Sequence, residues 1–175
     1  MEKINGELCP LCQKKTLILN EEEIEIPYFG KAFVFGMHCE DAECDYKISD
    51  VEFEEEKDPC KCEFEINSKK DFEVRFVKSG SAVVKIPALK ITIEPGIASE
   101  GYVTNIEGFI KRIKKILEDQ RDTAEDDDAR KKAKNLLKKI WKVECGDEKL
   151  KIIIEDPTGN SAIISEKTVI SKLRK

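Results

Sequence analysis

Apolar positions recur along this chain with two different periods. In "TLILNEEEIEI" (16–26) and "KAFVFGMH" (31–38) the alternation is the mixed period-two pattern of strands, separated by the turn "PYFG". This pair predicts a long hairpin whose tip carries Tyr28 and Phe29, either presented to a partner or packed on the rest of the chain. Further strands are predicted in "CEFEINS", "DFEVRFVKS", "AVVKIPALKITIEPG" and "KLKIIIEDPTGNSAIIS". Pro87 and Pro95 each remove a ladder donor, which places them at an edge, a bulge or a strand end. Pro157 presets a turn and Gly159 can take positive φ, so "EDPTGN" reads as a hairpin turn.

The period lengthens in the middle of the chain. In "TNIEGFIKRIKKILEDQ" a single stripe holds Ile106, Phe109, Ile110, Ile113, Ile116 and Leu117, and Thr104 with Glu107 matches a capping box. A second helix is expected from "EDDDARKK", where Asp126, Asp127 and Asp128 suit the positive end of the helix dipole. Its stripe is Ala129, Ala133, Leu136, Leu137 and Ile140. Together they predict a helical hairpin at about 104–142, inserted between strands, with a basic solvated outer face.

These elements predict an α+β, mainly β chain in two parts. The acidic run at 52–59 marks the expected junction, with a ribbon over 1–57 and a β-sandwich over 58–175. Charged residues make up 38 % of the 175, well above the usual quarter, and the 40 % that are apolar suffice for a core. No signal-like apolar run opens the sequence, and nowhere do about 18 apolar residues follow one another. A cytoplasmic protein is expected. The net charge of −5 is unevenly spread, because residues 1–60 hold 16 Asp and Glu against 6 Lys. An acidic ribbon is a poor clamp for phosphate backbone.

The candidate chemistry lies in that acidic part. Cys9 and Cys12 form C-x2-C, and Cys39 and Cys44 form C-x4-C. Each short spacing lets one turn aim two sulfurs at a point, and two such knuckles close a tetrahedral site. One structural Zn2+ is the expected cofactor, since four thiolates leave no open position for water or substrate. The competing readings are redox thiols or a disulfide, although no βαβ pattern surrounds Cys9. His38 could replace a thiolate, or be an ordinary strand residue. Cys60 and Cys62 would share one side of a strand as small buried residues, with a disulfide or a metal contact as the alternative. Cys145 reads as structural.

Taken together, "LCPLC", "IPYFGKAFVF" with the second cysteine pair, "VVKIPALKITIEPG", "ASEGYVTNIEGFIKRI" and "IIIEDPTGNSAI" resemble the ZPR-type zinc-finger proteins in their single-module archaeal form. The resemblance covers nearly the whole chain. It implies a four-cysteine zinc ribbon followed by a β-sandwich resembling a double-stranded β-helix, with an inserted helical hairpin. It also carries the zinc ligands onto Cys9, Cys12, Cys39 and Cys44. Eukaryotic relatives carry two such modules and act as a dedicated chaperone of translation elongation factor 1-alpha, which makes that factor the expected partner. The sequence departs from the family pattern in the wider second pair, C-x4-C for the common C-x2-C, and at Ala88, where glutamate is usual.

A non-enzymatic protein-interaction factor is therefore expected. The alternative is an RNA-binding zinc ribbon, for which only the helical hairpin and the terminal "SKLRK" are basic. An enzyme has less to build on, since the chain has one histidine, no Ser/His/Asp set and no phosphate-cradling glycine loop.

Overall fold

The computed structural model describes residues 2–26, 30–53, 57–96 and 99–173. Tyr28 and Phe29, expected at the hairpin tip, lie outside the described residues, as do Arg174 and Lys175 of the basic terminus. In chain order the first four strands are β1 (Glu2–Glu7), β2 (Leu17–Ile26), β3 (Gly30–Cys39) and β4 (Lys47–Phe53). They form one antiparallel sheet in that order. Next come β5 (Cys60–Ile66), β6 (Arg75–Lys78), β7 (Val83–Ile86), β8 (Ile91–Ile93) and β9 (Tyr102–Asn105). Helices α1 (Ile106–Thr123) and α2 (Asp127–Cys145) follow, and β10 (Leu150–Asp156), β11 (Ala162–Ile164) and β12 (Val169–Lys172) complete the chain.

The later strands make a five-stranded sheet, β12-β5-β10-β7-β8, and a three-stranded one, β11-β6-β9. The two enclose the main core with the helical hairpin, so the chain is mainly β with a sandwich and an inserted pair of helices. Strand alternation gives the three-stranded sheet two different faces. Phe76 and Ile163 point into the main core with Phe64, Ile152, Phe109 and Ile140. Their neighbours Val77 and Ala162 point the other way, onto Ala32 and Val51 of the first sheet. The small sheet is thus a middle layer that joins the ribbon to the sandwich.

Helix α1 is fixed by its apolar stripe and by its cap. Phe109 stacks on Phe76 with ring centroids 4.3 Å apart, and Ile106, Ile110, Ile113 and Leu117 are buried beside it. Ile116 departs from the expected stripe and is 54 % exposed, because the hairpin packs on the sandwich along one narrow side. On α2, Ala129 is exposed, whereas Ala133, Ile140 and Val143 are buried. The expected Thr104–Glu107 capping box is not what starts α1. Thr104 belongs to β9, and the cap is Asn105, whose Oδ1 accepts from Gly108 N–H at 2.8 Å. Asn105→Ala should therefore cost about 1 kcal/mol, read as a fall of about 2–4 °C in thermal midpoint.

Two other expectations give way to side-chain chemistry. The first residues of "DFEVRFVKS" form a 3-10 turn, Lys69–Glu73, instead of a strand. The Asp71 carboxylate accepts from the N–H groups of Asn67 and Ser68 at 2.9 and 3.0 Å, which coils the chain before β6 can begin. "EDPTGN" is no hairpin either, since β10 pairs with β5 and β7 while β11 pairs with β6 in the other sheet. It is a crossing between sheets.

Candidate metal centre

Both knuckles are shaped by backbone hydrogen bonds. At the first, Gln13 N–H donates to Cys9 O at 2.8 Å and Cys9 N–H to Lys14 O at 2.9 Å, with Gln13 in the left-handed region at φ 57°. At the second, Cys44 N–H donates to Asp41 O at 2.9 Å, and the Asp41 carboxylate accepts from Glu43 N–H at 3.0 Å. That turn takes up the two extra residues of C-x4-C. Cys39 N–H donates to Tyr46 O, and Glu40 N–H to Thr16 O, each at 2.9 Å, so the second knuckle is pinned to the end of β2.

The four sulfurs of Cys9, Cys12, Cys39 and Cys44 lie within 4.8 Å of one another. Cys9 and Cys44 are 3.8 Å apart, and Cys12 and Cys39 3.7 Å. Sulfurs bound tetrahedrally at 2.3 Å from one zinc would be separated by about 3.8 Å, so the donor set fits this ion closely. The electrostatics agree. Without a cation Tyr46 N–H pulls the Cys44 thiol down, but loss of solvent and its thiol neighbours Cys39, Cys12 and Cys9 push it up to about 12. A divalent cation would offset that penalty by binding the Cys44 thiolate directly. The centre suits one structural Zn2+, closed on all four sides.

His38 is not among the clustered donors. It lies in β3 between Met37 and Cys39, and strand alternation turns it to the opposite face. Thr16 is a member of the site that spacing does not reveal. Its hydroxyl lies 3.1 Å from Cys39 Sγ, and with Cys39 as a thiolate it would donate there, orienting the sulfur and damping its charge. Cys60 and Cys62 share one side of β5 as expected, each donating to Ser161 O at 3.7 Å. The neighbouring Cys62, burial and the charge of Asp156 raise the Cys60 pKa, which keeps it a thiol. Cys145 is exposed at the end of α2, not enclosed as a structural residue would be.

A second polar cluster lies at the sheet crossing. Asp156 is fully buried, and its carboxylate accepts from the hydroxyls of Ser161, Thr158 and Ser79 at 2.6, 2.7 and 2.8 Å. Ser81 Oγ donates at 3.1 Å and Thr158 N–H at 2.8 Å. Gly159, at φ +70°, leaves room for the carbonyl of Asp58, which a Cβ there would strike. The motif thus clamps the chain where it leaves the ribbon. Among the described residues no helix is long and apolar enough to cross a membrane.

Residues 70–172 match the ZPR1 jelly-roll domain. A ZPR1-like protein of Methanocaldococcus jannaschii is 39 % identical over 167 residues, which span 95 % of this chain and 83 % of that protein. A ZPR1-like protein of Pyrococcus horikoshii is 40 % identical over 171 residues, 95 % of this chain and 76 % of that protein. The zinc finger chaperone zpr1 of Schizosaccharomyces pombe is 28 % identical over 142 residues, which cover 79 % of this chain but 30 % of that longer protein.

Proposed function

This chain belongs to the ZPR1 family, and from that premise we propose that it is a zinc-binding, non-enzymatic protein-interaction factor, a chaperone or binding partner of translation elongation factor 1-alpha. The observation that carries the reading is the similarity to a zinc finger chaperone, which covers 79 % of this chain. The rest of the molecule is compatible with it. A metal saturated by thiolates has no position for a substrate, so the zinc of such a protein holds a surface in shape. In this reading Cys9, Cys12, Cys39 and Cys44 are the ligands, residues 1–57 fold as a ribbon around them, and residues 58–175 form the jelly-roll unit with its hairpin.

The zinc-loaded protein is expected to form a complex with elongation factor 1-alpha from the same source and to raise the recovery of GTP binding when the factor is diluted from denaturant. Recovery at the unassisted level with no complex in either state would remove the factor as client. A steeply salt-dependent affinity for RNA in the same preparations would favour the nucleic-acid reading instead.

A further inference from the structure

The ribbon sheet has two faces, and among the described residues only one packs against another sheet. Ala32 and Val51, with Ile24 and Val34, pack onto the middle layer. Strand alternation and register put a different set on the opposite face. Along β3 it presents Phe33, Phe35 and Met37, a row about 13 Å long. Met37 stands opposite Leu19 on β2 and Ile48 on β4, and Leu19 stands opposite Ile4 on β1. Ile4 is 54 % exposed. Ile4, Leu19, Phe35 and Met37 line a groove of about 340 Å³, and among the described residues no other element packs over it.

The same register frames that apolar row with acids. Phe35 lies between Glu21 and Asp50, Phe33 between Glu23 and Glu52, and Glu21 is also opposite Glu2. Two of these acids are already engaged. Glu23 pairs with Lys31 at 2.7 Å, and Asp50 turns its carboxylate to Gly101 N–H. No Lys or Arg among the described residues forms an ion pair with Glu2, Glu21 or Glu52. An apolar groove framed by carboxylates that have no ion pair among the described residues is complementary to one kind of occupant.

We propose that this open face is a docking surface for a cationic amphipathic segment of a partner protein. Its apolar side chains would seat on Phe35, Met37, Leu19 and Ile4, and its lysines or arginines would reach Glu2, Glu21 and Glu52. The proposal rests on the protein-interaction reading above and names the surface that serves it. A polyanion is excluded by the frame, and the zinc centre at the Leu17–Cys39 end of the same face holds the groove in shape. That gives the metal a role in recognition without contact to the partner.

The test uses the full zinc-loaded chain and three fluorescein-labelled twelve-residue peptides, alternating Leu-Lys, Leu-Glu and Ser-Lys, with binding read by anisotropy. Leu-Lys should bind at least about tenfold tighter than either control. Phe35→Ser should weaken it about tenfold, and so should the Glu21→Lys/Glu52→Lys pair. The matched reversal Glu118→Lys/Glu125→Lys on the hairpin should change it less than about twofold. Zinc content and thermal unfolding check each fold, and the surface charge pair carries the test if Phe35→Ser fails to fold. Equal binding of Ser-Lys, or an equal loss on the hairpin reversal, would reduce the effect to net charge and overturn the proposal. A dimer in sedimentation that the charge pair dissolves would overturn it in favour of a second copy. Peptide binding without elongation-factor binding would keep the surface and remove that client, and the reverse result would place the factor elsewhere.

Discussion

Chelating the zinc should release the ribbon and leave the sandwich folded. The buried residues around the metal are few, Cys9, Leu17 and Cys44, with Leu19, Met37 and Tyr46 half-buried around them. An apolar cluster of that size cannot offset the ordering entropy of two knuckles and four strands. Structural zinc supplies an apparent 10–16 kcal/mol, roughly, in small finger peptides at neutral pH, so its loss outweighs every other contact in this layer. The main core is independent of it, built from β5, β7, β10 and the two helices. Hydrogen exchange on the full chain, with and without chelator, should show fast exchange at the knuckles, β1 and the start of β2. Protection should persist in β5, β10 and α1, and Cys9→Ser should reproduce the pattern. The far end of the ribbon should change less, since Ala32 and Val51 remain pressed on Val77 and Ala162. Acid should act in the same direction as chelator, because each thiolate that gains a proton leaves the metal. Unchanged protection at the knuckles after metal loss would show that packing alone holds them.

What could be read from the sequence was whatever depends on neighbours close in the chain. Two cysteine pairs announce a metal because each pair must be brought together by one turn, and that constraint is local. The α1 stripe announces a helix because Ile106, Phe109, Ile110, Ile113 and Leu117 repeat over several turns. The strands β9 and β12 escaped because four residues each, YVTN and VISK, are too few to show a period. The sheet crossing escaped for another reason. Pro157 and Gly159 specify a turn, but a turn has the same sequence whether the next strand pairs with the last or leaves for another sheet. That choice is made by Asp156, through partners at Ser79 and Ser81 that are far away in the chain. The open face of the ribbon was hidden in the same way. Both sides of β3 are apolar, with Ala32 and Val34 on one and Phe33 and Phe35 on the other, and only the register and the middle layer show which side is covered.

Asp156→Ala should be among the most damaging single substitutions outside the zinc centre, costing about 3–5 kcal/mol. The carboxylate holds two of the places where the chain passes between sheets, β6 to β7 through Ser79 and Ser81, and β10 to β11 through Ser161. Removing it orphans several buried donors at once, each worth about 1–3 kcal/mol when left unpaired. It also takes away a charge that, with Asp50, offsets the burial of Lys78. Asp156→Asn keeps the shape and loses the charge, so it should cost less, about 1–3 kcal/mol. The pH dependence identifies the ionised form as the one that matters. Burial pushes the Asp156 pKa up, but the hydroxyls of Ser161, Thr158 and Ser79 outweigh it and hold it below the ordinary 3.8. The unfolded chain therefore binds the proton first as pH falls, and the stabilisation is complete above the unfolded value and lost as pH drops through the folded one. In urea unfolding series, the gap between the native protein and Asp156→Asn should be constant at neutral pH and narrow below about pH 4. A gap that stays constant into strong acid would show that the hydroxyls need only an acceptor there, charged or not.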